Sequence, residues 1–242
     1  VPGISARTAV GIVETLPGPH KRSAMPIPDY TTPSDADAAT LKGQIRQANE
    51  ARILAAAERV FAGAGFAGAT MAAIAEEAAL PKANLHYYFG SKQDLYRAVL
   101  AQTLQDWLAP TDVITPQADP RVAIEAYIRA KMALSMQRPH ASRVFANELL
   151  HGAPVVKTLL ATDLRELVTH KAAVIAQWIA DGRMAAVDPV HLFFTIWAAT
   201  QTYADFEVQV CAVLGVSNLT LPDQKRATEH LVALLLRGCG LN

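Results

Sequence analysis

From about Gln44 onward, apolar side chains return at three- and four-residue steps and seldom at every second position, which predicts helices and almost no strand. Ile53, Leu54, Ala57, Val60, Phe61 and Ala64 make one such stripe, so a helix is predicted over 45–64, with Gly63 and Gly65 ending it. Thr70 stands as an N-cap before a short helix over 71–78. A break at Ala79-Leu80-Pro81 precedes a second short helix, and Ser91 caps the next one at Lys92. Further helices are predicted at about 92–108, 120–137, 140–151, 155–181, 189–214 and 223–238. Pro110, Pro120, Pro139, Pro154, Gly182, Pro189, Gly215 and Pro222 punctuate them. The fold class is therefore all-α, with three short N-terminal helices and a larger helical bundle.

Residues 1–42 break this pattern. Pro2, Pro17, Pro19, Pro26, Pro28 and Pro33 lie among small polar residues with no sustained periodicity, which predicts a flexible arm. The expected organisation is an arm over 1–42, a small helical head over 43–90 and a bundle over 91–242.

Composition narrows the function classes. The chain has 242 residues, of which 51% are hydrophobic, enough for a sizeable core. Its 22 basic residues equal its 22 acidic ones, so any basic surface is local. Between Leu41 and Leu100 seven Lys/Arg face five Asp/Glu, a weak local excess. Cys211 and Cys239 form no CxxC pair and fit a reducing compartment. The chain holds no run of about 18 apolar residues, so no membrane partner is expected. The opening stretch lacks the basic-then-apolar order of a secretory signal, which points to a cytoplasmic protein. His140, His151, His170, His191 and His230 follow no metal-ligand spacing, so they read as solvated or core side chains. A Gly-rich phosphate loop and a G-x-S-x-G elbow are both missing. Neither a cofactor, a metal nor an enzymatic activity is expected.

The unit Thr70–Phe89 has helix–turn–helix spacing, with Ala75 and Ala78 small enough for close packing at a sharp angle. In such a motif the second helix enters the major groove and its first residues meet base edges and phosphates. Those positions here are Lys82, Ala83 and Asn84, with His86 and Tyr87 one turn later. A lysine attracts phosphate or guanine, an asparagine pairs with adenine and a tyrosine hydroxyl reaches phosphate. Leu85, Tyr88 and Phe89 are expected to face inward. Lys92, in the first turn behind Ser91, would add its charge to free helix N–H groups at the DNA backbone. Thr70 joins this set, and Lys42 and Arg46 would extend it as a basic arm. Spacing alone equally allows two ordinary helices with a solvated basic edge.

Phe61, Gly65-Phe66, Thr70, Ile74-Ala75, Ala78, Lys82, Leu85, Tyr88-Phe89, Ser91-Lys92 and Leu95 resemble the N-terminal signature of TetR-family repressors. Ala79 stands where a turn glycine is common, Pro81 where a serine or threonine cap is usual, and His86 where a tyrosine is frequent. Pro81 is compatible with a helix start, because the N–H it lacks would be unpaired there. The resemblance implies a DNA-binding head, a helical ligand pocket and dimerisation through the last two helices. Leu231, Leu234 and Leu235 form an apolar stripe suited to that interface.

Within 189–214, Trp197, Gln201 and Asp205 lie at i, i+4 and i+8 and so share one helical face. If buried, the amide and carboxylate need partners, supplied either by neighbouring helices or by a polar ligand. A second set of residues is similar to the pyrimidine-utilisation regulators of the same family. It includes Asp106-Trp107-Leu108-Ala109-Pro110, Ala141-Ser142-Arg143, Glu148-Leu149, Ile196-Trp197-Ala198, Thr200-Gln201 and Tyr203-Ala204-Asp205-Phe206. That similarity implies a small pyrimidine effector such as uracil, with Trp107 and Trp197 covering the ring and Gln201 meeting its edge. Tyr203, Asp205 and Arg143 complete the implied pocket, although Arg143 and Glu148 could instead form a structural ion pair.

Two functions follow. One is a homodimeric regulator, a repressor, released from palindromic double-stranded operator DNA by a small effector. The other is a helical small-molecule-binding protein or regulator of the same fold that senses a different compound, such as a drug-like or acyl molecule.

Overall fold

The computed structural model describes residues 35–241, and among them every regular element is helical. Residues 1–34 of the expected arm lie outside the described residues. Helix α1 (Asp35–Gly68) starts ten residues before Ile45, because the run from Asp35 to Thr40 is rich in alanine, the best helix former. Its ladder breaks at Gly65, whose φ of 66° only glycine adopts without strain.

Helices α2 (Met71–Glu77) and α3 (Lys82–Phe89) follow. Thr70 caps α2 by accepting a hydrogen bond from the Ala73 N–H. The end of α2 is closed by two backbone bonds, Ala79 N–H to Glu76 O and Leu80 N–H to Ala75 O, which place Ala79 in the left-handed region at φ 50°. Arg52 of α1 donates to the Ala78 and Ala79 carbonyls and holds that corner against the first helix. Pro81 sits at the N-cap of α3, where no side-chain cap bond forms. Leu85 anchors α3 with no exposure at all, while Tyr88 and Phe89 are half-buried.

Helices α4 (Lys92–Leu108) and α5 (Pro120–Gln137) keep their expected bounds, fixed by the Ser91 and Asp119 caps. A 3-10 turn, Ala109–Val113, joins them. Helix α6 (Pro139–Leu150) precedes α7 (Lys157–Leu159), a π-helical turn (Leu160–Leu164) and α8 (Arg165–Ala180). The helix expected over 189–214 is two helices, α9 (Pro189–Asp205) and α10 (Glu207–Leu214), and α11 (Leu221–Gly238) closes the chain. Arg143 causes that break: its Nε donates to the Ala204 carbonyl at 3.0 Å and its Nη2 to Glu207 at 2.5 Å, which fixes the chain where α9 ends.

Two apolar cores result. The first joins α1–α4 to α6 through Ile53, Phe61, Leu85, Leu95, Leu100 and Phe145. The second joins α5, α8, α9 and α11 through Ile124, Tyr127, Trp178, Phe193, Ile196 and Leu235. Leu164, on the π turn, packs against both. Leu231 and Leu235 are buried in the second core, so they are not part of an outward stripe; Leu234 alone of the three points outward. An amphipathic stripe does not say which partner it covers, and here α5 takes it.

Candidate functional site

Helix α3 presents its first turn to solvent. Lys82 and Ala83 are exposed, Asn84 is half-buried, and neither polar side chain makes a hydrogen bond among the described residues. Tyr87 is 73% exposed and His86 is exposed, with its Nδ1 held 2.8 Å from the Gly90 carbonyl oxygen. Arg46 of α1 stacks its guanidinium 5.9 Å from the Tyr87 ring centroid, which brings a second cation to the same edge. A short helix pinned by one buried leucine therefore carries a cation, an amide and a phenol around its outward side.

Lys92 is placed differently from the expectation. Its Nζ donates to the Phe66 and Ala69 carbonyls at 2.7 and 2.9 Å and lies 4.5 Å from the Phe66 ring centroid. Those carbonyls close the end of α1 beyond the Gly65 break, and an ammonium there satisfies them. The Thr70 hydroxyl is likewise spent on its cap.

The second site is a cavity of about 160 Å³ at the seam of the two cores. Trp107 of α4, Phe145 of α6 and Trp197 of α9 supply aromatic walls, and Leu160 and Leu164 of the π turn supply aliphatic ones. A π turn widens the helix and re-aims its side chains, and such turns are frequent at functional sites. The Trp197 indole N–H donates to the Tyr127 hydroxyl at 2.7 Å, which fixes the ring at the cavity wall. Two polar groups enter this apolar space. Gln201, half-buried, lines it and makes no side-chain hydrogen bond among the described residues. Lys131 of α5 is 1% exposed and makes neither a hydrogen bond nor an ion pair among the described residues; its Nζ lies 4.2 Å from the Trp107 ring centroid. Burial pulls the Lys131 pKa from its ordinary 10.5 down to about 7, against the pull of the Asp205 charge.

Of the six expected pocket residues, Trp107, Trp197 and Gln201 come together here. The other three do not line the cavity, for identifiable reasons. Asp205 accepts a 2.6 Å hydrogen bond from the Ser142 hydroxyl, and burial raises its pKa. Arg143 is engaged by Ala204 and Glu207, so the alternative Arg143–Glu148 ion pair does not form. Glu148 instead accepts from the Tyr96 hydroxyl and from the Val155 and Val156 N–H groups. Tyr203 borders a separate cleft with Leu219 and His230. Lys131 was not expected, yet its signal is present. It recurs with Ile124, Tyr127 and Ile128 at helical spacing, a charged residue on an otherwise apolar stripe.

Two wider clefts, of about 450 and 440 Å³, are more open to solvent. The first is bordered by Glu58, Gln102 and Arg138, whose polar groups already bind one another or Asp106. Among the described residues no group of three or more His, Cys, Asp or Glu could hold a metal ion, and no helix is long and apolar enough to cross a membrane.

Comparison with known proteins covers both sites. Residues 53–99 match the family described as bacterial regulatory proteins, tetR family, and residues 100–242 match the YcdC-like protein, C-terminal region. The HTH-type transcriptional regulator RutR of Escherichia coli (strain K12) is 44% identical over 194 residues, covering 79% of this chain and 90% of the relative. The HTH-type transcriptional regulator BetI of Burkholderia ambifaria is 27% identical over 160 residues, covering 63% of this chain and 82% of that protein. Among solved structures, a bacterial regulatory protein in the tetR family from Rhodococcus RHA1 superposes with a TM-score of 0.62 at 21% identity, covering 78% and 95% of the two chains. AibR in complex with isovaleryl coenzyme A and operator DNA gives 0.57 at 17% identity, covering 77% and 97%.

Proposed function

Because the chain belongs to the TetR family of bacterial regulatory proteins, we propose that it works as a cytoplasmic homodimeric repressor whose effector is a pyrimidine such as uracil. The protein is a ligand-responsive DNA-binding transcriptional regulator. Two copies of α3, about 34–36 Å apart, would enter successive major grooves of a palindromic operator. Lys82 would meet phosphate or guanine, Asn84 adenine, and Tyr87 phosphate, with Arg46 and His86 at the edges of the contact. Ala83 allows close approach to the groove.

The observation that carries the effector reading is a small apolar cavity holding two polar side chains without protein partners, Gln201 and Lys131. Lys131 is buried and Gln201 half-buried, and a polar ligand in the cavity would give both a partner. The cavity's size also selects. An apolar cavity of roughly 150 Å³ holds one benzene ring, whereas drug-sized ligands need about 300–1,000 Å³. At about 160 Å³ the cavity favours a single flat ring over drug-like or acyl compounds. Dimer formation is supported by the outward apolar residues of α10 and α11: Val208 is 86% and Val213 81% exposed, and Leu214 and Leu234 are exposed too.

Effector binding can move the heads only by its differential affinity for DNA-competent and DNA-incompetent states. The test is the double substitution Lys82→Ala/Asn84→Ala. It abolishes retention of the protein's own upstream DNA in a mobility-shift assay while uracil binding by calorimetry is kept. Retention unchanged by the double substitution would remove α3 from the DNA contact.

A further inference from the structure

We propose that Lys131 sets the chemical class of the effector: a flat single ring carrying a carbonyl or anionic oxygen that meets the lysine Nζ. The inference rests on reading this cavity as the effector site, and it adds the group that discriminates. Three observations support it. Lys131 is buried among apolar side chains, borders the cavity, and has no hydrogen-bond or ion-pair partner among the described residues. An unpaired buried ammonium is among the least favourable arrangements in a protein interior, so an acceptor delivered by a ligand gains more there than at a solvated site. The Trp107 ring below it, 4.2 Å from Nζ to centroid, offers an attractive face but no acceptor atom.

The walls define what else the ligand must be. Trp107, Trp197 and Phe145 leave room for a planar ring in about 160 Å³. Gln201 adds one donor and one acceptor from α9, while Lys131 approaches from α5. The pair matches a ring with an N–H beside a C=O, its oxygen directed at the lysine. A bare hydrocarbon ring fits the volume but leaves both groups unpaired, and a cationic ring is repelled. The ionisable group facing Lys131 is Asp205 of α9, itself bonded to Ser142 and adjacent to Arg143 of α6. The cavity residues from α4 and the remaining ones from α6 are apolar or aromatic.

The experiment is isothermal titration calorimetry of the full chain and of Lys131→Met with uracil, barbiturate and benzene. Methionine keeps the apolar stem as far as Cε and removes the buried ammonium, so the variant is expected to fold at least as well. For the wild-type chain, uracil and barbiturate bind more tightly than benzene. In Lys131→Met both oxygen-bearing rings weaken by about ten- to a hundredfold, as for loss of a charged hydrogen bond, and benzene is unchanged or stronger. Uracil affinity within threefold of wild type in Lys131→Met would overturn the proposal and leave the cavity as an effector site. Binding of benzene alone by the wild-type chain overturns it in the same way. No binding of any of the three rings removes both the proposal and the reading of the cavity on which it rests.

A pH series supplies a second readout. Wild-type uracil affinity falls by about tenfold from pH 6 to pH 8 as the free lysine, with its pKa near 7, loses its proton. The Lys131→Met series is flat, and equal slopes in the two proteins would overturn the proposal.

Discussion

Arg138, the residue between α5 and α6, ties the bundle to the head by sharing its guanidinium between Glu58 of α1 and Asp106 of α4. Asp106 is also held by the Gln102 amide at 2.7 Å, and its chain neighbour Trp107 forms a wall of the cavity. One arginine therefore connects the helix that carries a cavity residue to the helix that carries the head. Glu58 is nearly buried, so removing its partner leaves a carboxylate without compensation.

Arg138→Leu is predicted to lower stability by about 2 kcal/mol, below the range for fully buried pairs because the guanidinium is partly exposed. Urea denaturation measures this. The same variant is predicted to bind uracil normally while its DNA affinity responds less to uracil, since α4 and α1 are no longer joined there. An unchanged uracil response would show that the coupling runs elsewhere.

Lys82 and Lys92 are predicted to differ, although each is the first residue of its helix. Lys82→Ala weakens DNA binding across sequences and lowers the salt slope by about 1, with stability unchanged. Lys92→Ala lowers stability by about 1–2 kcal/mol, because the Phe66 and Ala69 carbonyls lose their charged donor. Mobility shifts at several salt concentrations and urea melts separate the two effects. A stability-neutral Lys92→Ala would contradict its role as a cap.

Much of this was legible from local signals. The Thr70, Ser91 and Asp119 caps and Pro120 fix helix starts within the chain's own neighbourhood, and α4 and α5 stand where their periodicity places them. The break at Phe206 carries no glycine or proline, because it is made by Arg143 from 61 positions away. The π turn at Leu160–Leu164 likewise leaves no mark in an apolar pattern that suits an uninterrupted helix. In the site, the i, i+4 relation of Trp197 and Gln201 was readable on one helix. The meeting of Lys131, Trp107 and Gln201 needs three helices in register and so depends on tertiary packing.

Ala79→Gly is predicted to stabilise the chain. Ala79 holds a left-handed φ of 50° in the turn between α2 and α3, a conformation that costs a residue with a Cβ about 1–2 kcal/mol. Glycine removes that strain and returns part of it as unfolded-state entropy, leaving a gain of about 0.5–1 kcal/mol. An increase in the urea midpoint with an unchanged slope is the expected result.

Lys131 also makes a stability prediction with a definite sign. Its folded pKa of about 7 lies below its ordinary 10.5, so between those values the unfolded chain binds more protons than the folded one. The burial penalty is therefore present in full below about pH 7 and is relieved as pH rises toward 10.5. Lys131→Met is predicted to exceed wild type in stability by several kcal/mol at pH 6, and the margin narrows steadily between pH 7 and pH 9. Taking the difference between the two proteins cancels groups common to both. A margin that is constant with pH would contradict the buried, unpaired lysine.

The central claim is that a ring in the Trp107–Lys131–Gln201 cavity controls whether α3 holds DNA. Its most direct measurement is fluorescence anisotropy of the protein's own upstream DNA at fixed salt, with and without saturating uracil. The expected result is specific, salt-sensitive binding that uracil weakens at least tenfold in the wild-type chain and much less in Lys131→Met. Specific DNA binding that is the same with and without uracil in the wild-type chain would contradict it.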